Sequence, residues 1–478
     1  MKTHVVGRRR SLDERFESAL TRTRSLRFQL WALLLAAMLA LAAMLGFAAL
    51  AIKGDERSAS PVARFANGLA RAPVIAHRLF SDIVQRRNPR LALHQRFKGR
   101  AGFSAGPDGA PPGALLVLSR YDGDQGRGIV EIVNLDDGSA AHAYAPDIRA
   151  MNALSRLEPD IVNLARDFNE RRYMMYSPTP TDDGGLVFHG MDSPLVKIDV
   201  CSRPVWTVDG IFHHSIARDA EGNFWSPQNL KPPTIANVDA DFQDDALVQI
   251  APDGEVLFRK SLAEILIKSG LGHIVYSHDA YDPDPLHLND IEPALSDGPY
   301  WRKGDIFLSV RNPSMVALYR PAEDRLLWWK QGPWLLQHDV DIVSERQIAV
   351  FDNHAAAAPA GETVLGFNDY KIYDFASGRV SSPYAAGFSK HKIRTPTNGL
   401  AVLLPDRSLM VEEQNYGRII AIDETGRARW SFVNRAKDGR VYQLGWSQVL
   451  AAPEAAALKR SLASAPCRKT ARAEAPAN

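Results

Sequence analysis

The sequence predicts an all-β architecture, a six-bladed β-propeller preceded by one transmembrane helix and a helical linker. Three features lead to that expectation. Residues 114–450 form a succession of short apolar runs split by Gly, Asp, Asn and Pro, each of strand length and several alternating apolar with polar. A strand–turn–strand unit recurs in degenerate form along the same stretch. Residues 28–52, by contrast, run for 25 positions without a charge.

Taken in order, the head at 1–27 holds eight basic side chains against three acidic ones, a balance of +5. At about 1.5 Å per helical residue the stretch that follows exceeds a hydrocarbon core of about 30 Å. A cleaved signal peptide would need an apolar core of only about 7–15 residues, so an uncleaved single-span anchor through the lipid bilayer is the reading preferred. The positive-inside rule then leaves the head in the cytoplasm and places the rest of the chain, net −3, beyond the bacterial inner membrane in the periplasm. Residues 53–113 read as a helical linker that ends in the Gly- and Pro-rich hinge GFSAGPDGAPPG. The Ala-rich tail, 451–478, lacks sustained apolar periodicity and reads as disordered or a frayed helix.

Within 114–450 the repeat is visible in DALVQIAPDGEVLFRKSL, SMVALYRPAEDRLLWWKQ and GRIIAIDETGRARWSFVN, each a strand, a turn at Asp or Pro, and a strand ending near an aromatic residue. About 330 residues at roughly 45–50 per four-stranded blade give six or seven blades, with six preferred over two unrelated sandwiches. Trp206, Trp328, Trp329 and Trp430 read as blade-packing aromatics.

Composition narrows the function. The 478 residues are 45% apolar, enough for a folded core, and 57 basic against 55 acidic side chains leave no excess to drive nucleic-acid binding. Two cysteines, Cys201 and Cys467, cannot build a disulfide framework. One lies in a blade and the other in the tail, so they are expected to stay unpaired.

The polar residues of interest are His214, His287 and His338, each in a loop that precedes a strand, with Arg311 at the end of DIFLSVRN and Asn289 beside His287. In a propeller that phase brings them to the mouth of the central channel. Three imidazoles, a guanidinium and an amide suit a tetrahedral oxyanion better than an apolar ligand. No His-x-x-His or Glu-x-x-His spacing supports a metal, and the acidic loop of Asp279, Asp282 and Asp284 lacks EF-hand spacing. Phe351, Asp352 and Asn353 read as turn formers. Each of these histidines taken alone also fits a hydrogen-bonded structural role.

HLND at 287–290, GDIFLSVRNPSMVALYRPAEDRLLWW at 304–329, QHDVDIVSERQIAVFDNH at 337–354 and, more weakly, HHSIARDAEGNFW at 213–225 resemble the arylsulfotransferases. That family transfers sulfuryl groups between phenols without a nucleotide donor. The resemblance implies a six-bladed propeller, an aryl sulfate and a phenol as partners, and no cofactor. It implies that His338 is the nucleophile, that Arg311, His287 and Asn289 hold the sulfuryl oxygens, and that His214 is a further channel histidine. An imidazole nitrogen is nucleophilic at neutral pH, and splitting the transfer into two displacements lets one site serve donor and acceptor in turn. Asp339 follows His338 directly and on a strand faces the other way, which excludes it as the orienting partner. Two departures stand out: Asp290 occupies the place expected for Ser, bringing a negative charge near a site meant for an anion, and the family's long N-terminal β-domain is replaced by anchor and linker. The alternative is a non-catalytic propeller that binds an anionic or sulfated ligand or a partner protein.

Overall fold

The computed structural model describes residues 12–53, 60–63, 65–70, 90–105, 109–157, 164, 168–277, 281–357, 361–464 and 467. The chain divides into two compact units, Met1–Asn88 and Pro89–Asn478.

The first unit is dominated by the helix Leu12–Lys53. Its 25-residue part Gln29–Lys53 is apolar and none of it is buried, with Trp31, Met38 and Leu45 among the exposed side chains. At 1.5 Å per residue this part spans roughly 37 Å. Among the described residues it is the one helix whose length and composition suffice to cross a membrane, as an anchor or as a signal sequence.

The second unit is all-β and propeller-like. Four sheets are antiparallel blades. One is Leu288–Pro293, Ile306–Val310, Met315–Arg320 and Arg325–Gln331 in order. The next is Val340–Ser344, Gln347–Asp352, Asp369–Asp374 and Arg379–Ser381. A third runs Leu400–Leu403, Leu409–Glu413, Arg418–Ile422 and Ala428–Val433, with Gly102–Ala105 added at its outer edge. The fourth joins the two ends of the unit: the late strand Gln448–Leu450 pairs with Leu115–Asp122, so that Leu450 faces Leu115, and Arg127–Asn134 and Ala140–Tyr144 follow outward. Between this blade and the first lies a continuous eight-stranded sheet from Tyr176–Pro180 to Val256–Ser261, bridged at Gln228 opposite Phe212.

Apolar clusters fill the spaces between consecutive sheets. Leu288, Leu308 and Ala317 pack on Leu247 and Leu262; Phe307 and Leu318 pack on Ile348 and Val350; Phe351 packs on Val411 and Ile420. Two-sided burial explains why these strands read as near-continuous apolar runs, and each such side chain contributes about 1.5–3 kcal/mol. Trp430 is buried and Trp328 packs at a tilt against Tyr373 and Phe375, as blade aromatics should, whereas Trp329 is 40% exposed.

Three expectations about the flanks are corrected. The stretch from Arg90 is not linker: Leu91 bridges Tyr442, Arg435 donates to the Arg96 and Phe97 carbonyls, and Gly102–Ala105 is a strand paired with Ala428–Val433. The tail is not frayed over Ala452–Ser464, which is a helix. Ala455, Leu458 and Leu462 recur at helical spacing and pack against Leu186 and Ile198, a stripe too short to stand out in an Ala-rich sequence. Beyond Ser464 the tail, apart from Cys467, lies outside the described residues. This docking delivers Cys467 to Cys201 with 5.4 Å between their Cα atoms, and the two form a disulfide. The expectation of two free thiols treated the tail as undocked. Cys201 sits in a turn fixed by Asp199 Oδ1, which accepts from the amides of Cys201 and Arg203 at 2.8 and 2.9 Å.

Candidate active site

The inner strands of the second unit carry side chains from one cavity to another. His214, His287, His338 and Asn398 line a cavity of 410 Å³. One to five residues further along, Ser215, Asp290, Glu292, Asp339, Asp341 and Leu400 line a second one of 600 Å³ at the other end of these strands. Of the two, the larger holds carboxylates with Arg218 and no histidine, whereas the smaller gathers the histidines with Arg311.

His338 is 1% exposed and doubly held. Its Nδ1 lies 2.7 Å from Asn353 Oδ1. Because an amide oxygen only accepts, Nδ1 carries the proton and Nε2 the lone pair. That lone pair accepts the Asn398 backbone N–H at 2.8 Å. Asn353 is itself locked, donating to the carbonyls of Thr395 and Asn398. Burial drives the His338 pKa well below the usual imidazole range, Arg311 and His287 push it further down, and the Asn353 bond opposes them. The ring is neutral near pH 7.

His214 stands 5.9 Å from the His338 ring and 5.1 Å from that of His287, centroid to centroid. Its Nδ1 meets His213 Nδ1 at 2.8 Å, and His213 Nε2 meets Asp245 Oδ1 at 3.2 Å. Burial opposes the charge on His213, but the Asp245 carboxylate outweighs it and the pKa is raised. His214 is driven well below the usual range, first by burial and then by His213, His287 and His338. When His213 is protonated and donates to His214 Nδ1, the His214 Nε2–H is left as a donor. His287 Nδ1 lies 2.5 Å from Asp284 Oδ2.

Arg311 is nearly buried, donates to Asn312 Oδ1 at 2.7 Å and is in close contact with the Glu362 carboxylate. His214, His287 and Asn398 all adopt left-handed backbone, with φ of 59°, 57° and 56°. Such residues cost about 1–3 kcal/mol each and persist where the surroundings over-determine them, commonly at functional sites.

Four of the five residues singled out from sequence thus share one cavity. Asn289 does not line it: the amide lies beneath, donating to the Gln337 carbonyl at 3.1 Å, with its own Oδ1 buried and unpartnered. Asp290 does not face the histidines either. It lines the larger cavity and accepts from Val340 N–H at 3.0 Å, and burial pushes its pKa up to about 6. Asp339 faces the same way and accepts from Ala401 N–H. Asn353, read as a turn former, is the group that orients His338. Asp284, Asp245 and Glu362 also went unrecognised. Asp284 had a local signal, standing three residues before His287. Asp245 and Glu362 had none, since the fold alone brings them near. Asp279 lies outside the described residues.

The family model described as arylsulfotransferase (ASST) matches residues 183–435, more than half of the chain. No curated protein matches the chain. Among solved structures, a protein of unknown function from Bacteroides caccae is similar at 13% identity and a TM-score of 0.41, covering 67% of this chain and 93% of that one. A nidogen/laminin complex is similar at 11% identity and a TM-score of 0.40, covering 71% and 99%. Virginiamycin B lyase from Staphylococcus aureus reaches 12% identity and a TM-score of 0.32, covering 54% and 70%. The structural likenesses are too distant to bear on function, and it is the sequence match, falling on the residues that build the histidine cavity, by which this chain belongs to the arylsulfotransferase (ASST) family.

Proposed function

We propose that this chain transfers a sulfuryl group from an aryl sulfate to a phenol through a sulfohistidine on His338, without a nucleotide donor. Family membership supports sulfuryl transfer as the reaction class. The observation that carries the finer reading is the state of His338: buried, neutral, with Nδ1–H fixed on Asn353 and Nε2 turned to the cavity shared with Arg311.

The Nε2 lone pair attacks sulfur, the bond from sulfur to the aryl oxygen breaks, and the electron pair leaves on the phenolate. The Asn398 N–H must first move off Nε2. His287, backed by Asp284, gives a proton to the departing oxygen and takes one back from the acceptor phenol in the reverse displacement. Arg311 and the His214 Nε2–H face the sulfuryl oxygens, a preorganised electrostatic contribution. Asn289 acts at one remove, holding the Gln337 carbonyl next to the nucleophile.

We read the eight-stranded sheet as two blades, which with the four others makes six. The cluster of Val187, Leu195, Phe212 and Val248 within that sheet supports this reading, since it packs one half on the other as the remaining clusters pack blade on blade. We place the propeller in the periplasm behind an uncleaved anchor. The Cys201–Cys467 disulfide fits an oxidising compartment.

The occupation of Arg311 by Glu362 and of His338 Nε2 by Asn398 favours a second reading, a non-catalytic site for an anionic ligand. Full-length protein in detergent with 4-nitrophenyl sulfate separates the two. Nitrophenolate release that requires added phenol and vanishes in His338→Ala is the expected result. Ligand binding without turnover across a panel of phenols would favour the second reading.

A further inference from the structure

A third cavity, of 490 Å³, adjoins the histidine site and shares one wall residue with it, Glu362. Its character is basic. Arg96, Lys392 and Arg394 line it, together with the parallel rings of His94 and Tyr416, stacked at 5.8 Å. Arg96 is committed, since its guanidinium lies over the Tyr416 ring and donates to Glu413, whose carboxylate also holds Arg418. Lys392 and Arg394 are not. Both are exposed, and among the described residues neither side chain meets a carboxylate; the Arg394 guanidinium donates to the Val364 carbonyl at a long 3.4 Å, while its backbone N–H donates to Glu413 Oε1 at 3.0 Å. The partition is weakly anchored as well. Glu362 meets Arg311 through one oxygen, while its Oε2 is buried without a partner. A carboxylate half satisfied in this way yields readily to an anion able to engage the guanidinium through two oxygens.

We propose that this basic cavity is a second anion subsite of the same ligand, so that the preferred substrates are aryl sulfates or phenols bearing a further anionic group, such as a ring carboxylate. The ligand's sulfuryl end takes Arg311 from Glu362, its aryl body passes the displaced side chain, and the second anion meets Lys392 and Arg394. The proposal rests on the reading of Arg311 as the sulfuryl-binding group.

The test is calorimetry on the full-length protein in detergent, in a His338→Ala background so that no group is transferred, with 4-nitrophenyl sulfate and 4-carboxyphenyl sulfate as probes. The dianion should bind about three- to tenfold more tightly than the monoanion, the gain expected of two partly exposed cationic contacts. Lys392→Asn with Arg394→Gln should erase that advantage and leave monoanion affinity unchanged; asparagine suits the left-handed φ of 52° at position 392. Arg394→Glu, which cannot be confused with loss of fold if the monoanion still binds, should place the dianion below the monoanion. Equal affinities in the starting protein, or an advantage that survives the double substitution, would overturn the proposal. Turnover of 4-nitrophenyl sulfate by the unsubstituted protein reports separately on sulfuryl transfer, so either idea can fail alone.

Discussion

Asp284→Asn isolates the role assigned to His287. The carboxylate lies 2.5 Å from His287 Nδ1 and the substitution replaces its charge by a neutral amide of the same shape. The loop itself is held by other bonds, Arg311 N–H to the His287 carbonyl at 2.9 Å and Asn312 N–H to the Leu286 carbonyl at 3.0 Å, so the fold should survive. Proton transfer by a positioned side chain contributes about 10²–10⁴-fold, and only where the leaving group needs the proton. For phenyl sulfate, whose phenolate is a poor leaving group, kcat/KM should fall by roughly a hundredfold or more. For 4-nitrophenyl sulfate, whose anion leaves unaided, the loss should stay within about threefold, on the same Brønsted reasoning. The assay is a series of substituted phenyl sulfates at saturating acceptor, with log kcat/KM plotted against leaving-group acidity. A steeper line for the variant is expected. Parallel lines would refute general acid catalysis by the pair, whatever the size of the drop.

Other perturbations follow from the same geometry. Asn353→Ala removes the acceptor of His338 Nδ1–H and frees the Thr395–Asn398 loop, so kcat should fall by about a hundredfold or more with KM little changed; an unchanged kcat would remove Asn353 from the site. Glu412 is fully buried, which raises its pKa to about 7 against the bonds it accepts from Ser447 and Trp446. A carboxyl with a raised folded-state pKa stabilises the fold below its unfolded value near 4.5 and loses that contribution as pH rises through about 7, on the order of 3 kcal/mol. Denaturant midpoints should therefore fall from about pH 5 to about pH 8, and Glu412→Gln should flatten that slope; an unaltered slope would contradict the assignment. Cys201→Ser should lower the stability of the second unit by about 2–4 kcal/mol, and the unsubstituted chain should show no free thiol when denatured without reductant, whereas two would exclude the disulfide.

The strands were legible because a two-sided blade needs apolar side chains on both faces, and runs such as DIFLSV and QIAVFD satisfy that need without long-range information. The histidines were legible through their order and through the strand-terminal Arg311. What escaped was whatever the ring closure decides. Asp245 reaches His213 across 32 positions, and Glu362 reaches Arg311 across 51, distances over which sequence spacing says nothing. Asn353 was mistaken for a turn former because Asn after Asp is common in turns, although its side chain points inward and is fully buried. Asp290 was placed with His287, but it lies three residues further along, past the register shift between Leu288 and Asp290, and there lines the cavity at the other end of the inner strands. The disulfide was missed because the tail helix docks by three side chains spread through a run of alanines.

The central claim is that His338 carries the sulfuryl group. Full-length protein is incubated with 4-nitrophenyl sulfate in the absence of phenol, quenched at alkaline pH, digested and analysed by tandem mass spectrometry. The account predicts a single sulfuryl increment on the peptide that contains His338, localised to that residue, absent in His338→Ala and lost on adding phenol with matching release of phenyl sulfate. Turnover of donor and acceptor with an unmodified His338, or a sulfuryl group trapped on His214 or His287 instead, would contradict it.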